Sequence, residues 1–375
     1  MIITNARLVL PDAVILGTIV WDGATITEVS PGVSSVPGAL DAEGDLVIPG
    51  VVDLHTDNLE RQVQPRANAR WPSRSAMFAH DAQCAASGVT TVFDALCIGD
   101  LGFDKDRLKT FQDGVVDLDA LAGTGLLKAE HVLHLRCELP APDLMELFEP
   151  VADHAKVRMI SLMDHSPGVG QYANLDRYRA MRMREGHKAE WIERRIEELQ
   201  AQRELMRGPN RLRLLERVRG SGVVLASHDD RTAEEVAENH ADGIRISEFP
   251  VSMLAAKAAR ARGMGVIAGA PNIVRGGSHS GNVSAAEMVR EGAVDALASD
   301  YVPASLVEAA FACVRETGIT LPQGVALVTL NAARMAGLED RGALMAGRRA
   351  DLVQVREHEG MPVVRQVWRT GERVI

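Results

Sequence analysis

Aromatic side chains are scarce in this chain. Phe, Trp and Tyr make up 4% of its 375 residues, so a large core has to be built from aliphatic side chains. Cysteine is equally sparse: Cys84, Cys97, Cys137 and Cys313 stand far apart, with no C-x-x-C pair. That spacing argues against a zinc knuckle or a disulfide framework and for buried free thiols in a reducing cytoplasm. Basic residues are outnumbered, 41 Lys and Arg against 51 Asp and Glu, for a formal charge of -10. Such a chain is a poor partner for nucleic acid or an anionic membrane, and an anion would need a local basic pocket or a metal. No run of roughly 18 apolar residues is present, which excludes a helical membrane span. The start, Met1-Ile-Ile-Thr-Asn-Ala-Arg-Leu, has no basic stretch leading into an apolar one, so no secretory signal and a cytoplasmic location are expected.

What is there is an ordinary globular composition, 46% hydrophobic and 25% charged, long enough for one barrel and a smaller unit. Residues 1–48 are short apolar runs broken by turns at Asp22-Gly23 and Pro31-Gly32. Residues 340–375 repeat that style. A small β-sandwich domain built from both chain termini is expected. Residues 49–339 change period: strand-like runs alternate with helical stretches. The strand candidates are the run ending at Asp57, then 89–94, 131–138, 157–163, 222–227, 244–247, 266–268 and 295–299. Eight alternations predict an α/β fold, a (β/α)8 TIM-type barrel. No G-x-G-x-x-G follows the first of these strands, which counts against a dinucleotide fold. Leu175 to about Met206 is long, charged and helical, an insertion with a solvated face.

The polar residues at those strand ends are His55, Asp57, Asp94, Glu138, His165, His228 and Asp300. Barrel active sites lie at that end. Asp94 is the one most like a helix cap, whereas His80, His187 and His358 read as scattered. Imidazole and carboxylate together suit a divalent metal, Zn first, with Mn or Fe as alternatives, as one or two ions. Asp300 is placed to act as general base toward an acidified water. The loop Arg275-Gly-Gly-Ser-His-Ser-Gly281 follows strand seven, where barrels bind phosphate, and Gly276, Gly277 and Ser278 can form a backbone anion nest. His279 is a candidate metal ligand or an acid for a leaving group.

The opening V-x-P-G-V-V-D-L-H-T-D and the closing Asp340-Arg-Gly-Ala-Leu-Met-Ala-Gly-Arg-Arg-Ala-Asp-Leu-Val353 resemble the amidohydrolase superfamily. The usual first motif there is H-x-H, and this chain has His55-Thr-Asp57. That departure, with Pro65-Arg66, Arg70-Trp71-Pro72, Gly88-Val-Thr-Thr-Val-Phe-Asp-Ala-Leu96, Ile246-Ser-Glu-Phe-Pro250 and Gly276-Gly-Ser-His-Ser-Gly-Asn-Val283, resembles one branch. It is the PhnM family of the carbon–phosphorus lyase pathway, α-D-ribose 1-methylphosphonate 5-triphosphate diphosphatases. The resemblance implies hydrolysis of a ribosyl triphosphate to the 5-phosphate and pyrophosphate. It also implies metal positions at His55, Asp57, Glu138, His165, His228 and Asp300. The superfamily's two middle histidines lie on strands five and six; here His165 and His228 count onto four and five.

A triphosphate carries about four negative charges at neutral pH. An acidic protein must therefore concentrate cations at the site, and Arg66, Arg70 and Arg275 are the expected phosphate contacts. The expected partner is a small-molecule ribosyl triphosphate, with no nucleic acid or membrane partner; self-association is left open. Two other readings share the residues: a C–N hydrolase (a cyclic amidase or deaminase) on the same metal centre, and an inactive relative serving as an assembly subunit.

Overall fold

The apolar segments at the two ends of the chain hydrogen-bond to each other. In a computed structural model, which describes residues 1–66, 69–102, 105–278 and 281–375, five early strands form one sheet with the last three. They are β1 (Ile2–Val9), β2 (Val14–Asp22), β3 (Thr25–Pro31), β4 (Leu40–Asp41) and β5 (Leu46–Pro49), with Leu352–His358, Met361–Arg369 and Glu372–Arg373. β5 is the seam: it runs parallel to β1 and antiparallel to Leu352–His358. This sandwich packs its own core, where Trp21 and Trp368 meet edge to face at 6.0 Å among Ile3, Leu8, Ile19 and Ile26. Two of the chain's few aromatic rings are spent here.

The passage from this sheet into the barrel is tight. A Cβ at Gly50 would lie 2.3 Å from Thr90 Oγ1 and 2.7 Å from Asp351 Cβ, so only glycine fits between β5 and the next strand.

Eight parallel strands follow: β6 (Val51–Thr56), β7 (Val89–Ile98), β8 (Glu130–Glu138), β9 (Val157–Met163), β10 (Val224–His228), β11 (Ile246–Glu248), β12 (Gly265–Gly269) and β13 (Ala296–Ala298). They pair in chain order, and Thr56 bridges Asp300 to bring the last strand back to the first. Helices cover the outside, so the strands are buried on both faces; all ten positions of β7 are buried.

Strand parity sorts the side chains. Val52, Leu54, Phe93, Met159, Ala226, Ile246, Ile267 and Ala296 fill the barrel's interior. On β8, the alternate residues Leu133, Leu135 and Cys137 face the helical layer. His134, Arg136 and Glu138 therefore share the interior face, as do Ala226 with His228 and Ile246 with Glu248. A register shift in β6 between Asp53 and Thr56 turns His55 inward as well.

On the outside lie α1 (Asn58–Val63), α2 (Ser73–Ala86), α3 (Lys105–Leu121) and α4 (Leu144–Phe148). The charged insertion is two helices, α5 (Leu175–Arg184) and α6 (Ala189–Arg217), separated at Gly186, which takes φ +92°. It is not only a solvated face. Tyr178, Ile192 and Ile196 make a small core between the two helices. No helix among the described residues is long and apolar enough to cross a membrane.

Candidate active site

One cavity of about 680 Å³ opens at the C-terminal ends of the barrel strands. Asp57, Glu138, His165, His228 and Asp300 line it. His55 lies just behind, its ring stacked 5.8 Å from that of His228. All six residues expected to bind metal thus meet at one mouth, although they come from β6, β8, β10 and the segments after β6, β9 and β13.

The group that orients them was not among those candidates. Glu248, fully buried at the end of β11, accepts from His55 Nδ1 through Oε1 and from His228 Nδ1 through Oε2, both at 2.8 Å. Ser161 Oγ donates to Oε2 at 2.9 Å and is itself bonded to His134 Nε2. Burial works against the Glu248 carboxylate, and the hydrogen bonds it accepts from His228 and His55 favour its ionised form. Burial pushes His55 down to about 4 against the pull of Glu248. His55 is therefore neutral, with Nδ1–H on the carboxylate and Nε2 bearing a lone pair. That Nε2 is buried and has no partner among the described residues. A carboxylate fixing the tautomer of a histidine from behind is how proteins prepare an imidazole for a metal.

Glu138 behaves differently from the expectation. Its Oε1 accepts from the His165 backbone at 2.8 Å and its Oε2 from His165 Nδ1 at 2.6 Å, so as placed it orients His165. The carboxylate facing the two histidines is Asp229. Its Oδ2 lies 4.0 Å from both His165 Nε2 and His228 Nε2 and has no hydrogen-bond partner among the described residues. Three ligand atoms within 4.8 Å of one another, too far apart to bond, leave a gap suited to a cation.

The acids crowd together. Burial first, and then the charge of Asp57, push the Asp300 carboxyl up to about 7. Asp300 N donates to His55 O at 2.9 Å, and Asp57 N donates to Asp300 O at 2.9 Å. Crowded carboxylates beside an unpartnered imidazole lone pair fit a divalent ion, which would relieve the repulsion.

Backbone strain shapes this mouth. Asp229, Phe249 and Asp300 take φ of +57°, +51° and +54°, one or two residues after β10, β11 and β13. Aspartate tolerates that region; phenylalanine does so rarely. The Phe249 ring packs edge-on against His55 and His228 at 5.0 and 5.5 Å.

Cationic residues line the same cavity, but only one is an arginine expected from the sequence. Arg275 is there, with Arg107, Arg136 and Arg182. Gly277 and Ser278 of the glycine loop line it too; Gly276, with φ +74°, does not. His279 lies outside the described residues. Arg66 and Arg70 are not brought to the cavity. Arg66 is exposed, and Arg70 is held by Asp113 of α3 at 2.9 Å. The local motif could not reveal that Arg70 pairs with α3.

Asp94 is a correction. It is neither a helix cap nor at the mouth. Phe93 faces the interior, so Asp94 faces out, where it accepts from His80 Nε2 at 2.7 Å and His131 Nδ1 at 2.9 Å. His80, read from the sequence as scattered, belongs to this buried network. Parity could have found most of what was missed: His134 lies four residues before Glu138, and Glu248 ends its strand.

A family model for the amidohydrolase family matches residues 232–375. Over its full length the chain is 44% identical to the α-D-ribose 1-methylphosphonate 5-triphosphate diphosphatase of Escherichia coli (strain K12), an alignment of 377 residues covering 100% of both chains. Among solved structures, 5-methylcytosine deaminase from Klebsiella pneumoniae liganded with phosphonocytosine superposes with a TM-score of 0.66 at 16% identity, covering 100% of this chain and 98% of that one. N-acetyl-D-glucosamine-6-phosphate deacetylase from Mycobacterium smegmatis gives 0.65 at 18%, covering 100% of each. At such identities the likeness speaks for the barrel and its sandwich alone.

Proposed function

This chain belongs to the α-D-ribose 1-methylphosphonate 5-triphosphate diphosphatase family of the amidohydrolase superfamily, and from that premise we propose that it hydrolyses this triphosphate to the 5-phosphate and pyrophosphate in phosphonate catabolism. The observation that carries the reading is a coincidence in space. The cavity that gathers the histidines and carboxylates is also lined by Arg107, Arg136, Arg182 and Arg275. A triphosphate needs such cations, and a neutral amide ring does not.

The residues that would hold the divalent metal are His55, Asp57, His165, His228 and Asp300, with Asp229 between the two last histidines and Glu138 as ligand or orienter. Zinc is the first choice, with manganese or iron as alternatives, as one or two ions. When bound, the metal supplies Lewis-acid charge and makes a neighbouring water more acidic. The chain does the rest. Glu248 keeps the Nε2 lone pairs of His55 and His228 turned away from itself. Asp300, at the cavity mouth beside Asp57, takes a proton from the attacking water. Arg275 and the backbone at Gly277 and Ser278 bind phosphate near the mouth.

The test is pyrophosphate release by metal-replete protein from a panel of triphosphates, with and without the phosphonate on the sugar's first carbon. Release from the phosphonate-bearing substrate is expected. No release, with turnover of a hydantoin or cytosine-like compound instead, would overturn the reading in favour of a C–N hydrolase.

A further inference from the structure

Among the cavity cations, Arg136 lies deepest along a strand. It sits on β8 two residues before Glu138, so both side chains leave the strand on the same face. Its side chain is 7% exposed and lines the cavity. Its Nε and Nη1 are buried and have no hydrogen-bond partner among the described residues. The acid beside it, Asp57, stays 3.6 Å away. Of the neighbouring carboxylates, Glu60 accepts from Arg107 Nε at 2.8 Å through Oε2, its Oε1 makes no hydrogen bond to Arg136 or to any other described residue, and both oxygens of Glu138 serve His165. A guanidinium is always charged, and burying one without its bonds is unfavourable for folding alone. Arg107 is tied to Glu60 and Arg275 is exposed at the rim. Arg136 is a deep cation of this cavity whose Nε and Nη1 lack acceptors among the described residues.

We propose that Arg136 is a catalytic residue whose guanidinium donates to the non-bridging oxygens of the phosphoryl group under attack. The inference rests on the diphosphatase reading. In that step the oxygen of water bonds to the phosphorus next to the ribose. The bond from that phosphorus to the bridging oxygen breaks, and its electron pair leaves with pyrophosphate. One proton of the water passes to Asp300. Arg136, fixed by the strand ladder, meets the phosphoryl oxygens without reorganising.

The test compares Arg136→Lys and Arg136→Gly with wild type in metal-replete protein. Arg136→Lys is expected to keep the metal content and melting temperature of wild type while kcat for pyrophosphate release falls by about 10²–10³-fold. KM should move by less than about tenfold. Added guanidinium should restore part of the activity of Arg136→Gly and none of that of Arg136→Lys. A merely structural arginine gives the opposite: Arg136→Lys as active as wild type, and Arg136→Gly depleted of metal and not rescued. That result overturns the proposal. If wild type itself releases no pyrophosphate, the diphosphatase reading fails separately. Calorimetry with inorganic tripolyphosphate then decides about the anion: binding at least about tenfold weaker in Arg136→Lys supports the contact, and equal binding overturns it.

Discussion

Two clusters of histidine and carboxylate sit on opposite sides of the same barrel wall, and they differ in what is left over. Outside, Asp94 accepts from His80 and His131, His131 also bonds Asp81 at 3.2 Å, and Asn58 Nδ2 donates to His80 Nδ1 at 2.9 Å. Every ring nitrogen there has a partner. Inside, Glu248 takes one nitrogen of His55 and one of His228, and the far nitrogen of His55 meets nothing among the described residues. Residue types are the same, and burial is nearly so. A closed network stabilises a fold; an open one is prepared for a ligand.

Substitutions can break or sharpen that contrast. The largest effect is expected from Asp300→Asn, which should lower kcat for pyrophosphate release by ~10²–10⁴-fold with the fold intact. Activity within a few-fold of wild type would remove Asp300 from the proton transfer. Next is Asp94→Asn in the closed cluster. Breaking a buried pair from one side should cost about 3–5 kcal/mol in urea unfolding, while metal content and kcat per folded molecule stay unchanged. Loss of metal instead would mean that the outer cluster is not merely structural.

Glu248→Gln comes third. It keeps the shape but weakens the hold on two imidazoles, and metal affinity should fall by ~10–100-fold, read by titration against a chelator. Undiminished affinity would deny Glu248 its orienting role.

The fourth prediction is a pH dependence. Burial opposes the His131 proton, but Asp94 and Asp81 raise its pKa from 6.5 to about 9. The folded state binds that proton more tightly than the unfolded chain. The contribution is therefore full below pH 6.5 and lost as pH rises through 9. Asp94, held well below its usual range against the effect of burial, makes the opposite statement: its contribution is present above pH 3.8 and fades on acidification below it. Thermal melting followed from pH 6 to 10 should show the alkaline decline in wild type and a weaker one in Asp94→Asn. Parallel curves would assign the decline elsewhere. The smallest effect is expected at Arg70→Ala: kcat/KM unchanged within about twofold, and stability lowered by about 0–1 kcal/mol, because Arg70 serves α3 and not the cavity.

Much of the candidate site is legible in the sequence. His55, Glu138, His228 and Asp300 lie at or just after the ends of strands that the change in apolar period marks out, and barrels place their chemistry at those ends. Arg66 and Arg70 misled because a motif says which residues travel together, not where the segment runs. Asp94 misled because a strand buried on both faces shows no alternation between polar and apolar positions. Nothing local told its outward face from the inward face of Phe93.

The sequence by itself determined the architecture: aliphatic runs of strand length, their helical partners, and a matching β style at both termini follow from local period and turn chemistry. It also determined which side chains could bind a metal. Only the tertiary structure decided which of them are finished and which remain open. Partners such as Glu248 for His55, or Asp229 for His165, lie 193 and 64 positions away in the chain. Hydrogen-bond satisfaction is a property of neighbours in space, and barrel closure chooses those neighbours.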